Sequence, residues 1–439
     1  MPTIAAHTLG CKVNQYDTQA MLELFRDAGY QIVSMDQRAD VYLVNTCTVT
    51  GTGDKKSMQL IRRIRRERPA SALIVCGCMA QSRGGELLST GADLVLGTQR
   101  RSEVVALLNR VLETGVPVCA VEPLVNGQPF ECLSITSRLD HTRAVLKIQE
   151  GCENRCSYCI IPSVRGPVRS RPPEDIREEV ARLSRAGFRE VVLTGIHLCS
   201  YGLDLDPPRS LLDVIRLVQG TEGILRIRLG SLEPTVATPA FASALRQNGK
   251  ICPQFHLALQ SGSDSVLARM RRRYNTAQYL RGVENLKREF PHAAFTTDIL
   301  TGFPGETLPE FEETCQMIEK VGFARIHVFP YSPRPNTPAA EMAGQLSSAE
   351  KERRSRKLIA LGNRVAQSYL ETWVGLESML LPEEIVSGCW EGYTPEYIRV
   401  RLKETDQCLP GSPVRIRLLK AGPRVMHGEI INDTKGKDV

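Results

Sequence analysis

The chain reads as an α/β protein in three parts: a doubly wound parallel sheet, an incomplete (β/α)6 TIM-like barrel and a small antiparallel β-barrel. Three observations predict this. β-rich runs alternate with amphipathic stretches through the first hundred residues, the same rhythm returns six times beyond residue 143, and from 376 onward short strands follow one another with Gly and Pro between them. The length of 439 residues exceeds what one hydrophobic core usually serves, which agrees with several domains.

In the first part the β-rich runs are 4–8, 41–45, 73–76 and 94–96. A less regular stretch, 119–143, holds Pro123 and Asn126-Gly127-Gln128-Pro129 and reads as a domain connection. The first domain is therefore placed at 1–118 and the second at 138–370. Six runs recur in the second, at 145–148, 191–194, 225–229, 256–259, 296–300 and 326–329. Helical segments separate them, such as 308–321 and 173–186, the latter opening with Pro-Pro-Glu-Asp. Six βα units fall short of the eight-unit barrel, and the active site is expected at the C-terminal strand ends. A Pro-rich turn at 330–338 and a long charged helix at 347–372 lead into the third domain, 371–434, whose Gly- and Pro-punctuated strands suit a small barrel.

Hydrophobic residues make up 42% and charged residues 24%, and no window approaches the ~18 consecutive apolar residues of a membrane span. Residues 1–15 lack the features of a secretory signal, so the chain is expected to be cytoplasmic with no membrane partner. Fourteen cysteines in a reducing compartment do not make a disulfide framework; some should ligate metal or clusters and the rest should be small buried hydrophobes. The net charge of +7 suits an acidic partner. Seven basic residues face one acidic residue in 55–68, and seven face two in 399–424. On the first stretch Met58, Ile61 and Ile64 would pack inward and leave Lys55, Arg62 and Arg66 outward, either solvated or on phosphate. On the second, Arg399 and Arg401, then Arg415 and Arg417, alternate and so share a strand face.

The sharpest local pattern is Glu150-Gly-Cys152-Glu-Asn-Arg-Cys156-Ser-Tyr-Cys159. Cysteines so spaced, just beyond the first barrel strand, can hold three irons of a cubic cluster and leave the fourth open. A tetrahedral zinc site would need a fourth ligand, for which Cys132 and His141 are at hand, and plain structural cysteines are the third reading. Cys11, Cys47 and Cys78 each follow one of the first three strands. Strand ends of a doubly wound sheet share one edge, so the three can converge on a second cluster, while Cys76 faces the other way and belongs to the core.

The pattern at 152–159 resembles the signature of the radical S-adenosylmethionine superfamily, and Tyr158 matches the aromatic residue carried there before the third cysteine. Further matches fall at strand ends: Thr194-Gly195, Ser231-Leu-Glu233, Gln260-Ser-Gly-Ser263, and Asp298 leading into Gly302-Phe-Pro-Gly-Glu-Thr307. Any one alone reads as readily as a turn or a satisfied polar residue. Together with the N-terminal motifs, they make the chain resemble the methylthiotransferase family over essentially its whole length. The third domain, with Gly392-Tyr-Thr-Pro-Glu-Tyr397, looks like that family's TRAM-type RNA-binding barrel. Thr8-Leu-Gly-Cys-Lys-Val-Asn-Gln-Tyr16 and Tyr331-Ser-Pro-Arg-Pro-Asn-Thr-Pro338 look most like the branch acting on threonylcarbamoyl-adenosine beside the tRNA anticodon. Cys199 departs from the pattern, standing where a small residue is expected, and is treated as a non-ligand.

The resemblance implies two [4Fe–4S] clusters, one on Cys152, Cys156 and Cys159 and one on Cys11, Cys47 and Cys78. It places S-adenosylmethionine against Tyr158, Gly195, Ser231, Glu233, Gln260 and Asp298. Carbon 2 of adenine is an unactivated aromatic C–H position, which suits a radical. On this resemblance the first cluster, reduced by an outside donor such as flavodoxin or ferredoxin, splits the cofactor to a 5′-deoxyadenosyl radical, and the second holds the sulfur that another cofactor molecule methylates. The sulfur donor stays open. An anticodon loop offers the splayed bases that RNA modules read, and Lys55, Arg62, Arg66, Arg399, Arg401, Arg415 and Arg417 are the candidate contacts. Alternatives are the same reaction on an isopentenyl-modified tRNA adenosine or a ribosomal-protein aspartate. A non-enzymatic iron–sulfur carrier or RNA-binding scaffold is the other class, and it leaves Tyr158, Glu233 and Gln260 unexplained.

Overall fold

The computed structural model describes residues 1–135, 142–403 and 408–431. The expected bounds at 138 and 434, and His141, lie outside those residues. The first sheet holds six parallel strands, β1 (Thr3–Thr8), β2 (Gln31–Ile32), β3 (Val41–Thr46), β4 (Ala72–Gly77), β5 (Leu94–Leu96) and β6 (Val118–Ala120), in the order β2-β1-β3-β4-β5-β6. β3 and β4 are buried along their whole length, as apolar parallel strands covered on both faces must be. On one face α1 (Lys12–Asp27) contributes Met21 and Phe25 and α4 (Val104–Thr114) contributes Leu107 and Leu108. On the other, α2 (Gly51–Glu67) contributes Ile61 and Ile64 and α3 (Cys78–Arg83) contributes Met79 and Ala80.

The central part contains β7 (Arg143–Glu150), β8 (Arg169–Ser170), β9 (Glu190–Gly195), β10 (Arg226–Leu229), β11 (Ser231–Leu232), β12 (Gln254–Leu257), β13 (Ala294–Thr301) and β14 (Arg325–Pro330). Two four-stranded sheets result, β10-β9-β7-β8 and β11-β12-β13-β14, joined where the chain passes from β10 through Gly230 to β11. All six expected runs are present in one open arc. Two short strands add to them, β8, antiparallel to β7, and β11, parallel to β12. The run expected at 256–259 lies two residues earlier, at 254–257; beyond it Gln260, whose φ is +65°, returns to β13 in a single bridge opposite Ile299. The core between arc and helices includes Leu146, Leu193, Phe255, Ile299 and Ile318.

The last part is a closed barrel, β15 (Glu377–Val386), β16 (Cys389–Tyr393), β17 (Arg399–Arg401), β18 (Val414–Ala421) and β19 (Met426–Ile430), in the order β15-β16-β17-β19-β18. Four of its pairings are antiparallel and β17–β19 is parallel, since β18 lies between them in the chain and pairs with β19 along its other edge.

Polar contacts join the parts. Tyr16 of α1 donates to Leu133 O at 2.5 Å and receives from Arg171 Nη1 at 3.1 Å. At the opposite side, Gly51 N donates to Ser332 Oγ at 3.0 Å, and Arg334 pairs with Asp54. The small barrel closes the N-terminal end of the arc: Arg226 donates to Met379 O at 2.6 Å, Arg228 to Pro395 O at 2.9 Å, and Arg143 to Glu383 at 2.6 Å.

Candidate active site

β7 delivers the chain to the C-terminal rim of the arc, and Gly151 turns it with φ +75°. A Cβ there would lie 1.8 Å from Pro167 O, so no other residue fits. Gln149 pins the loop, donating from Nε2 to Glu150 O and Gly151 O at 2.7 Å each and receiving His197 N on Oε1 at 2.7 Å. Gly195 is needed because a Cβ would meet the Gln149 side chain at 2.9 Å. The loop then folds back on itself, with Cys152 N on Gly166 O and Cys159 N on Cys156 O, and enters α5 (Ile161–Arg165).

Cys152, Cys156 and Cys159 line a cleft of about 150 Å³ together with Tyr158, Ser231 and Glu233. Four of its other walls were not foreseen: Asn154, His197, Ala258 and Arg272. Arg272 stacks on Tyr274 at 4.8 Å and donates to Cys156 Sγ at 3.1 Å and to Glu233 Oε1 at 3.1 Å. Glu233 also receives Asn154 Nδ2 at 2.9 Å and lies 3.4 Å from His197 Nε2. Burial alone would raise the Glu233 carboxyl, but His197 and Arg272 hold it below its ordinary range. The cleft thus presents three thiols, one anion and one fixed cation, a donor set suited to a cluster beside a zwitterionic amino-acid group. Of the other residues expected to touch S-adenosylmethionine, Gly195 precedes the lining residues Ile196 and His197, whereas Gln260 and Asp298 are not among those lining the cleft. Gln260 braces the adjoining strand through Asp298 O and Leu300 N, and Asp298 faces His256 at 3.5 Å.

The second cysteine set lies on the edge facing this rim. Cys11 caps α1, Cys47 follows β3, and Cys78 opens α3 directly after β4. Gly10, at φ +114°, brings the first two loops together, since a Cβ would meet Cys47 Cβ at 3.1 Å and its Sγ at 3.4 Å. The three thiols lie within electrostatic range of one another. Cys76 is buried in the core, on the opposite side of its strand as expected. Among the described residues no three His, Cys, Asp or Glu side chains close around the centre a single metal ion would occupy; a cluster takes its cysteines at separate corners. Burial pushes the Cys78 and Cys152 thiols up to about 11 and Cys159 to about 12, so iron has to displace their protons on loading. Cys199 accepts Glu233 N at 3.3 Å and packs against the barrel core.

A buried charge network joins the two cysteine sets. Arg165, at the end of α5, donates from Nε to Cys78 Sγ at 3.2 Å, from Nη1 to Glu150 at 2.8 Å, and from Nη2 to Asn14 Oδ1. Lys147 of β7 pairs with Asp17 at 2.5 Å and Glu150 at 3.0 Å, and Arg101 with Glu131 at 2.8 Å and with Asp17.

The basic surfaces differ from one another. Lys55, Arg62 and Arg66 are exposed on α2 while Ile61 and Ile64 are buried, as the spacing predicts. The four barrel arginines are each paired: Arg399 and Arg401 with Glu391 at 2.5 Å, and Arg415 and Arg417 with Glu377 at 2.8 and 3.0 Å. Those carboxylates offset much of the positive field expected there.

Residues 3–97 match a family described as uncharacterized protein family UPF0004, and residues 146–318 match the radical SAM superfamily. The chain is 41% identical to a threonylcarbamoyladenosine tRNA methylthiotransferase of Bacillus subtilis (strain 168), covering 98% of this chain and 97% of that one. A protein of the same description from Thermotoga maritima is 36% identical over 91% of each chain. A tRNA-2-methylthio-N(6)-dimethylallyladenosine synthase of Pelotomaculum thermopropionicum is 35% identical over 85% of each. Among solved structures, the radical S-adenosylmethionine methyltransferase TsrM from Kitasatospora setae superposes with a TM-score of 0.57 at 14% identity, covering 77% of both chains, and shares the fold. The chain belongs to the radical S-adenosylmethionine methylthiotransferase family.

Proposed function

We propose that this protein adds a methylthio group to carbon 2 of threonylcarbamoyladenosine beside the anticodon of tRNA. The observation that carries the reading is the full-length likeness to the Bacillus subtilis enzyme, at 41% identity. Relatives described as acting on dimethylallyladenosine stand lower, at 35% and 34%.

The family's cofactors, two [4Fe–4S] clusters and S-adenosylmethionine, supply when bound the electron, the methyl group and the radical that the C–H position demands. Cys152, Cys156 and Cys159 would hold one cluster and Cys11, Cys47 and Cys78 the other. Glu233 and Arg272 would orient the charged amino-acid part of the cofactor, with Tyr158 and Ser231 alongside. Gly195 serves by letting Gln149 fix the cysteine loop. Gln260 and Asp298 would act on the side of the lumen, away from the cleft. Asn14, Glu150 and Arg165 keep the two loops in register from below. The exposed face of α2, with Lys55, Arg62 and Arg66, would meet the anticodon arm, and the paired barrel arginines would add less. An external one-electron donor and a cytoplasmic setting complete the reading; no helix among the described residues is long and apolar enough to cross a membrane.

The test is genetic. The gene is introduced into a bacterium whose tRNA carries threonylcarbamoyladenosine without the methylthio group, and the nucleosides are separated by mass. Appearance of the methylthio derivative is expected; its appearance only on dimethylallyladenosine would reassign the substrate.

A further inference from the structure

The inner face of β14 follows from alternation. Ile326 and Val328 pack outward against the barrel core, so Arg325, His327 and Phe329 face the lumen. His327 lies 6.3 Å from His256, ring to ring, and His256 lies 3.5 Å from Asp298. Below them Tyr393 and Tyr397 stack at 4.7 Å, with Arg143 over both rings and Arg228 over Tyr397, forming a floor. Two lumen cations stand apart from the rest. Arg143 is paired with Glu383 and Arg228 with Glu190, but Lys12 and Arg325 have no carboxylate within 4 Å among the described residues.

Lys12 directly follows Cys11, at the first position of α1. Its ammonium lies in electrostatic range of Arg143, Glu190, Arg228 and Tyr397, and His327 feels it from the far wall. A side chain sensed from β7, β9, β10, β14 and the tyrosine floor, and still exposed to water, projects into the lumen. A water-accessible lumen cation with no carboxylate within 4 Å among the described residues is a site for an anionic group of a ligand.

We propose that Lys12, seconded by Arg325, binds the carboxylate of the threonylcarbamoyl group and so selects this nucleoside over those with an uncharged side chain. The proposal rests on the substrate reading above. The threonine part of that nucleoside ends in a carboxylate, whereas a dimethylallyl group carries no charge. In adenine, carbon 2 and carbon 6 are separated by one ring nitrogen. A base that presents carbon 2 to the cysteine set containing Cys11 therefore carries its N6 substituent toward the neighbouring side chain. Phe329, 41% exposed on the same inner face, offers a stacking surface for the ring.

Anticodon stem–loops carrying threonylcarbamoyladenosine, its methyl ester, dimethylallyladenosine or adenosine are titrated against the reconstituted holoenzyme by fluorescence anisotropy. The wild type should bind the acid about tenfold or more tightly than the ester, the worth of one charged hydrogen bond. Lys12→Met and Lys12→Gln should erase that difference, Lys12→Arg should keep most of it, and Arg325→Met should reduce it. Iron content and affinity for the adenosine loop should stay at the wild-type level. Acid-over-ester preference surviving in both neutral variants overturns the assignment, as does a wild type that binds acid and ester alike. A wild type preferring the dimethylallyl loop defeats the substrate reading itself and is distinguished by that preference.

Discussion

Replacing Asp17 by alanine should loosen the joint between the first sheet and the barrel. Asp17 is 2% exposed and takes contacts from Lys147 at 2.5 Å, Arg165 at 3.3 Å and Arg101. Glu150 shares the same cations, and Glu131 completes a group of three positive and three negative charges. Burial alone would raise the Asp17 carboxyl, but Arg101 and Lys147 hold it below its ordinary range, so it is ionised at neutral pH. Its removal strands one uncompensated positive charge in the interior. Breaking a buried pair in this way costs about 3–5 kcal/mol. The chain has several domains, so a single global unfolding energy is poorly defined, and local opening is the better readout. Amide hydrogen exchange of β7 and α1 in the anaerobic holoenzyme should quicken by about two to three and a half orders of magnitude. Asp17→Asn, which keeps the shape and some hydrogen bonds, should fall between. Exchange quickened less than about tenfold in Asp17→Ala, about 1.4 kcal/mol, would refute the network's structural role.

Three further outcomes are expected. Cys47→Ala and Cys159→Ala should each lose about four of about eight irons per chain in a colorimetric assay, whereas Cys199→Ala should lose none. Arg272→Met, which removes the donors to Glu233 and Cys156, should weaken S-adenosylmethionine binding about tenfold to a hundredfold by equilibrium dialysis. The triple change Lys55→Ala, Arg62→Ala and Arg66→Ala should lower the salt dependence of tRNA binding by about two to three in log–log slope. Arg415→Ala with Arg417→Ala should change that slope by less than about one, since Glu377 already offsets both.

The parts of this molecule that follow local rules were legible from residues alone. Cysteines 11, 47 and 78 sit at strand ends because apolar runs mark strands and a parallel sheet aligns their C-terminal ends. The inward face of α2 followed from helical spacing in the same way. Distant polar partners carry no such signal. Arg165 and Cys78 are 87 residues apart, and Lys147 and Asp17 are 130 apart; a charged residue in an apolar run gives no hint of the element that neutralises it. The barrel arginines show the same limit. Alternation placed Arg415 and Arg417 on one face, but only the pairing register reveals Glu377 opposite them. The parallel β17–β19 pair and the left-handed turn at Gln260 likewise depend on closure and backbone turn.

The most direct test of the central claim joins cofactor and product in one experiment. The protein is reconstituted anaerobically, its iron is counted, and the reduced enzyme is incubated with S-adenosylmethionine and tRNA lacking the methylthio group before nucleoside mass analysis. About eight irons per chain and conversion of threonylcarbamoyladenosine to its 2-methylthio derivative are expected. About four irons, or cofactor cleavage with that nucleoside left unchanged, would contradict the claim.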